Sequence, residues 1–223
     1  MPIVVIGGHA RNVGKTSVVA GLIAALPGFR WTALKITQHR HGVRPANGGD
    51  CDWATADRSW DDPSSDDHSW AVSEEKDRTG ESDTSRFLAA GADHSWWVRT
   101  QPGRLADAMP RIRKILAATQ NAIIESNSIL RYLKPDLYLT VLDPQTADFK
   151  SSALTFLDRA DAILLHSVEN SKNPDWGSVS LKPVIDRPTF AIHPPNYVTP
   201  EVVEFVRARL AACSENRTSP FNS

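Results

Sequence analysis

Short apolar runs bounded by turn residues recur along the chain, and their length is typical of buried strands. These runs occupy residues 3–6, 31–36, 95–99, 122–125, 137–142, 162–165 and 189–192. Between several of them lie longer stretches in which apolar residues follow the helical repeat. The helical stretches occupy residues 15–26, 83–91, 104–118, 150–159 and 200–212.

This alternation of strand and helix predicts an α/β fold, in which helices cover both faces of a mostly parallel sheet. The crossovers between parallel strands are then expected to be right-handed. The chain has 223 residues and 41% apolar content, which is enough to bury one large core. We therefore predict a single domain over residues 1–213, followed by a frayed tail over residues 214–223.

One region, at about residues 45–82, interrupts the alternation. Between residues 48 and 83, twelve Asp or Glu stand against Arg58, Lys76 and Arg78, and no periodic apolar face accompanies them. This composition predicts an acidic inserted loop. Two interpretations stay open: a lid that becomes ordered when a ligand or partner binds, and a solvated insertion.

The formal net charge of -1 excludes a broadly basic surface, so neither nucleic acid nor an anionic membrane is an expected partner. No apolar window reaches the length of a membrane span, and the first residues lack the features of a secretion signal. Only two cysteines are present, which is typical of a reducing compartment. A cytoplasmic location is expected.

The strongest motif is the sequence GGHARNVGKTS at residues 7–17. It follows a predicted strand and opens a predicted helix, as a phosphate-binding P-loop does. In such a loop Lys15 would reach the β- and γ-phosphates, and the Thr16 hydroxyl would bind Mg²⁺. The residues predicted to contact the nucleotide are Gly8, Arg11, Asn12, Val13, Gly14, Lys15, Thr16, Ser17 and Lys35.

The loop departs from the usual pattern at one position. A glycine normally stands five residues before Gly14, where this chain has His9, and Gly8 lies one residue earlier. Either the loop is one residue longer, or His9 takes the first position with its side chain turned away. The role of Arg11 is undecided as well: it could contact a phosphate, act as a catalytic arginine, or be a solvated loop residue.

The order of motifs resembles that of the MobB family, the molybdopterin-guanine dinucleotide biosynthesis protein B group of SIMIBI-class P-loop NTPases. The resemblance covers roughly residues 3–145. Three segments after the P-loop carry it: KITQHRHG at 35–42, DTSRFLAAGA at 83–92 and AIIES at 122–126. Two features depart from that family: Ser126-Asn127-Ser128 stands where it usually has Gly and an aromatic, and the acidic insertion is larger than expected.

The resemblance assigns Asp83 and Glu125 to Mg²⁺ binding with Thr16, and to catalysis with Lys15. A carboxylate at the carboxyl end of a buried strand also faces the ligand crevice of an α/β sheet, which independently favours Glu125. Asp143 ends another strand and is an alternative to Glu125. Asp83 has a structural alternative as a helix N-cap, a role that Ser82 or Thr84 would also fill.

Lys35 lies in an apolar strand, where an unpaired ammonium is costly, so we expect it to meet a carboxylate or a phosphate. A second hypothesis places a zinc ion among nearby His and Cys side chains, although their spacing matches no known zinc motif. The residues of this hypothesis are His39, His41, Cys51 and His68.

Three functions fit these observations. The resemblance implies a GTP-binding, slowly hydrolysing accessory protein of molybdenum-cofactor maturation, with a cofactor-biosynthesis protein as partner and a homodimeric state. A small-molecule kinase or ATP-dependent ligase resembling dethiobiotin synthase is the second, and a nucleotide-dependent protein switch is the third. GTP is favoured over ATP only by the resemblance, because residues 170–175 hold the elements of a guanine-binding motif in the wrong spacing.

Overall fold

The computed structural model describes residues 1–38, 69–167, 176 and 179–218. Its strands are β1 Ile3–Gly8, β2 Trp31–Gln38, β3 Trp70–Glu75, β4 His94–Thr100, β5 Asn121–Glu125, β6 Leu137–Leu142, β7 Ala162–His166 and β8 Thr189–Ile192. Its α-helices are α1 Lys15–Ala25, α2 Asp83–Ala89, α3 Leu105–Ala117, α4 Ser151–Thr155 and α5 Pro200–Thr218. Short 3₁₀ helices cover Pro27–Phe29, Ser128–Arg131, Leu157–Arg159 and Lys182–Val184.

All eight strands form one sheet in the order β3-β4-β2-β5-β1-β6-β7-β8. Every neighbouring pair is parallel except β3 with β4, which is antiparallel. Strand side chains alternate between the two faces, so Val4 and Ile6 enter one apolar cluster and Val5 enters another. Helices α1, α2 and α5 contribute to the first cluster and α3 to the second. The predicted α/β fold is confirmed.

Two segments that were predicted to be irregular contain regular secondary structure, so those two predictions are wrong. The predicted acidic loop at about 45–82 includes strand β3, which pairs with β4 and buries Ala71 and Val72. Because acidic residues flank this short apolar stretch, the sequence pattern did not identify it as a strand. The predicted tail at 214–223 is helical as far as Thr218, because α5 continues beyond the last apolar repeat.

The sheet topology determines where a ligand can bind. β1 lies at the centre, between β5 and β6, and β2 pairs with the other edge of β5. Parallel strands place their carboxyl ends at one edge of the sheet, where ligands of open α/β folds bind. The carboxyl ends of β1, β2, β5 and β6 therefore lie at one edge of the sheet.

Candidate functional site

The loop between β1 and α1, residues 9–14, has the backbone geometry of a tight turn into a helix. Gly14 precedes α1 with φ at 89°, a left-handed conformation that favours glycine. A β-carbon at Gly14 would also collide with the ring of Tyr197. Both conditions require glycine at this position of the predicted motif.

His9 is fully buried and faces away from the ligand side of the loop. Its ring nitrogens lie 3.4 Å from the Val141 carbonyl oxygen and 3.1 Å from the Thr146 carbonyl oxygen. The ring also packs against Phe149 and Trp176. Burial lowers the pKa of His9, which favours a neutral ring. The second sequence interpretation is therefore the correct one: His9 takes the first loop position with its side chain turned inward.

Asn127 fixes the end of β1 where the loop begins. Its side-chain oxygen accepts a hydrogen bond from the Gly8 amide at 3.0 Å, and its side-chain nitrogen donates to the Gly8 carbonyl at 2.8 Å. A β-carbon at Gly7 would collide with this amide and with Tyr138. Asn127, one of the departures from the family pattern, thus ties the phosphate loop to the segment that follows β5.

A cavity of about 770 Å³ opens above the loop, between the carboxyl ends of β2 and β5. Nine predicted site residues line it: Arg11, Asn12, Gly14, Lys15, Thr16, Ser17, Lys35, Asp83 and Glu125. Gly8 and Val13 do not line it, since Gly8 ends β1 and Val13 is buried in the core. Five cationic side chains and two carboxylates face the cavity, which leaves it positively charged.

Lys35 lies at the centre of the acidic wall of this cavity. Its ammonium nitrogen is 2.7 Å from Asp83 Oδ2, 2.5 Å from Glu125 Oε1 and 3.2 Å from Thr16 Oγ1. The Thr16 hydroxyl in turn donates to Glu125 Oε2 at 2.8 Å. Lys35 meets carboxylates, as expected from its position in an apolar strand. One ammonium thus joins all three residues assigned to Mg²⁺.

This convergence fits a magnesium site. Three oxygen atoms from α1, α2 and β5 already surround one cationic group, and oxygen ligands are the ones that Mg²⁺ prefers. Among the described residues, no group of three or more His, Cys, Asp or Glu forms a metal site. The residues of the zinc hypothesis, His39, His41, Cys51 and His68, lie outside the described part of the chain.

The structure also distinguishes between Asp83 and Asp143, two carboxylates whose roles the sequence did not decide. Asp143 accepts hydrogen bonds from the Gln145 amide and the Thr146 hydroxyl within its own loop, and it does not line the cavity. Ser82 is the N-cap of α2, because its hydroxyl accepts a hydrogen bond from the Ser85 amide. Asp83 is therefore free of the capping role and bonds to Lys35 instead.

The opposite wall of the cavity is basic. Lys15 Nζ donates to the Ala10 carbonyl at 2.6 Å, so its ammonium bends back over the loop. Burial lowers the pKa of Lys15 to about 8, although the charge of Glu125 opposes this shift. Burial also lowers the pKa of Lys150, and the nearby Arg11 lowers it further. Such repulsion between cations is relieved when an anion binds.

Several residues of the cavity were not predicted, among them Arg86, Asn127, Lys150 and Tyr197. Lys150 is held near the loop because its backbone amide donates to the His9 carbonyl at 2.8 Å. Its place in the segment after a predicted strand was the only sequence signal for it. Arg86 donates to the Ser17 hydroxyl and lies one helical turn from Asp83.

No protein-family model matches this chain, and no curated protein is similar to it. Solved structures that align with it at low identity include LpxK and HypB. LpxK from Aquifex aeolicus, in complex with ATP, is 19% identical over 86% of this chain, with a TM-score of 0.45. This chain covers 53% of that LpxK chain, about half its length. HypB from Helicobacter pylori, in complex with nickel, is 15% identical over 99% of this chain and 90% of its own, also with a TM-score of 0.45.

Neither alignment is close enough to assign a function. No helix in the described ranges is long and apolar enough to cross a membrane. The chain itself places a glycine-containing loop between the central strand β1 and helix α1, with Lys15 and Thr16 in the first turn. This arrangement, within a mostly parallel sheet flanked by helices, is that of a phosphate-binding P-loop.

Proposed function

We propose that this chain binds a nucleoside triphosphate together with Mg²⁺ and hydrolyses it slowly. The observation that carries the proposal is the pair of facing walls in one cavity. One wall gathers the oxygens of Thr16, Asp83 and Glu125 around a single cationic group, and the other presents Lys15 and Arg11 on the loop. A magnesium-bound phosphate chain needs both kinds of group.

The residues of the site have separate tasks in this proposal. Lys15 exchanges its bond to the Ala10 carbonyl for one to a terminal phosphate oxygen, while Arg11 and Lys150 offset the remaining negative charge. Thr16, Asp83 and Glu125 would hold Mg²⁺, which when bound neutralises charge that develops on the phosphates. Both carboxylates already accept hydrogen bonds from Lys35, so neither is a free base, and slow hydrolysis is expected.

The finer proposal follows the resemblance of the motifs at 35–42, 83–92 and 122–126. It gives the protein a preference for GTP and an accessory role in molybdopterin guanine dinucleotide biosynthesis, with a cofactor-biosynthesis partner and a homodimeric state. The second candidate is a small-molecule kinase or ligase. A smaller cavity that adjoins the nucleotide cavity favours it, because a transferase needs room for a second substrate.

Calorimetry with GTP, ATP and their diphosphates, each with Mg²⁺, tests the proposal and identifies the base. Lys15→Ala should weaken binding of the preferred triphosphate about 100-fold, because a charged hydrogen bond to phosphate is lost. Lys134→Ala is the matched control, since Lys134 is exposed and does not line the cavity. Unchanged affinity in Lys15→Ala would contradict the assignment of the phosphate loop.

Turnover separates the two functional candidates. An accessory protein hydrolyses its nucleotide at the same slow rate whether or not a metabolite is added. A kinase or ligase shows a rate that rises many times over on addition of its own small-molecule substrate. If a metabolite accelerates nucleotide consumption in this way, the accessory role is wrong and the protein is a kinase or ligase.

A further inference from the structure

A second cavity of about 200 Å³ lies beside the nucleotide cavity. Gln38, Ser128 and Ser152 line both cavities, so they form the wall that the two share. The second cavity, which we call the side pocket, extends from this wall toward Arg131 and Tyr132 in the segment after β5. A molecule in the side pocket would lie next to the nucleotide site and outside it.

The side pocket has an apolar base and a polar rim. Leu105 and Phe156 are almost completely buried and contribute the base. Hydroxyl groups of serine, threonine and tyrosine surround the opening, and no carboxylate is among the described residues that line it. This lining suits a compact ligand with an apolar body and a polar end.

Arg131 supplies the only formal charge among the described residues of the side pocket. Within the described ranges its guanidinium makes no ion pair or hydrogen bond, whereas Arg104 and Arg209 each bind a carboxylate and Arg159 binds the Leu130 carbonyl. A guanidinium has five donors in a planar arrangement that matches carboxylate and phosphate oxygens. Since no described residue pairs with these donors, they point to an anionic ligand.

We propose that the side pocket binds a small organic anion, with its apolar body on Leu105 and Phe156 and its carboxylate or phosphate on Arg131. The volume is below the roughly 300 to 1,000 Å³ of sites that hold drug-sized ligands, so the ligand is about the size of one substituted ring. This inference rests on the proposed nucleotide binding, and it deepens the second candidate, the small-molecule kinase or ligase, by giving the chemical class of its substrate.

Three probes of similar size test the inference: benzoate, phenyl phosphate and benzyl alcohol. Each is titrated into the full chain by calorimetry or ligand-observed NMR, with and without Mg²⁺ and a non-hydrolysable triphosphate. At least one of the two anions should bind, and neutral benzyl alcohol should bind about tenfold more weakly because it lacks the charge-assisted pairing. Benzoate and phenyl phosphate distinguish a carboxylate ligand from a phosphate ligand.

Arg131→Ala should weaken binding of the anion about tenfold and leave benzyl alcohol unchanged, while Arg131→Lys should recover part of the loss. Arg113→Ala is the matched control, an exposed arginine that does not line the side pocket. Equal binding of the neutral probe, absence of binding by both anions, or unchanged binding in Arg131→Ala would each overturn the inference. Failure of the triphosphate to bind in the same samples would instead overturn the proposed function.

Discussion

The two walls of the nucleotide cavity differ in how their charges are balanced. On the acidic wall the charge of Lys35 is matched by Asp83 and Glu125, all within hydrogen-bonding distance of its ammonium. On the basic wall Lys15 Nζ donates to the Ala10 carbonyl, and burial together with the nearby Arg11 lowers the pKa of Lys150. The charges of the acidic wall are paired with one another, whereas within the described residues the lysines of the basic wall form no ion pair with a carboxylate.

This difference explains how one cavity can receive both a cation and an anion. The acidic wall is preorganised by an internal ammonium, so its carboxylates do not repel each other before a metal arrives. The basic wall carries an excess of positive charge, which a phosphate chain offsets. The two walls should therefore respond differently to substitution and to pH.

The largest effect should come from disabling the acidic wall. Glu125→Gln keeps the size of the side chain but removes the charge that meets Lys35 and Thr16. Mg²⁺-dependent hydrolysis should fall about 100-fold, since the metal loses a ligand in the reacting complex. Single-turnover hydrolysis measures this, with exposed Glu201→Gln as the control. Hydrolysis at the wild-type rate would remove Glu125 from the metal site.

Lys15 on the basic wall should make triphosphate binding depend on pH. The pKa of Lys15 is about 8 in the empty protein, chiefly through burial, and a bound phosphate raises it. Triphosphate affinity should therefore be level well below pH 8 and fall by up to about tenfold per pH unit above it, as binding takes up a proton. Calorimetry between pH 6.5 and 9.5 measures the slope. In Lys15→Ala the remaining affinity should not show this fall above pH 8. An identical slope in that variant would mean that another group causes the pH dependence.

The smallest effect should come from removing the internal ammonium. Lys35→Met leaves Asp83 and Glu125 without their shared cation, so Mg²⁺ no longer competes with it. Affinity for Mg²⁺ in the absence of nucleotide should rise about fivefold. A Mg²⁺ titration of the two proteins checks this, with exposed Lys134→Met as the control. Equal affinity in wild type and variant would show that Lys35 does not occupy the place of the metal.

The sequence was sufficient for features encoded locally. The strand at 137–142 and the strand at 189–192 agree with the structure at both ends, because continuous apolar runs bounded by turn residues leave little choice. Lys15 and Thr16 followed from a motif whose spacing reflects phosphate chemistry. Strand β3 was missed because acidic residues surround its short apolar stretch, and only pairing with β4 makes it a strand.

The rest of the site depends on contacts between distant parts of the chain. Nothing near Lys150 indicates that its backbone bonds to His9, and nothing near Asn127 indicates that its side chain pairs with Gly8. The roles of Asp83 and Asp143 were likewise decided by three-dimensional position. Sequence patterns name such residues only when a family motif includes them: the motif at residues 83–92 named Asp83, whereas no motif named Asn127 or Lys150.

The contact of Tyr197 with Gly14 has a consequence for synthesis of the protein. The phosphate loop emerges from the ribosome well before the ring that lies against it, because Tyr197 follows Gly14 far along the chain. A ligand stabilises only the state that it binds, and domains are made from the amino-terminal end. Nucleotide would thus act late in folding, on nascent chains already long enough to close the site, and would give little protection to shorter ones.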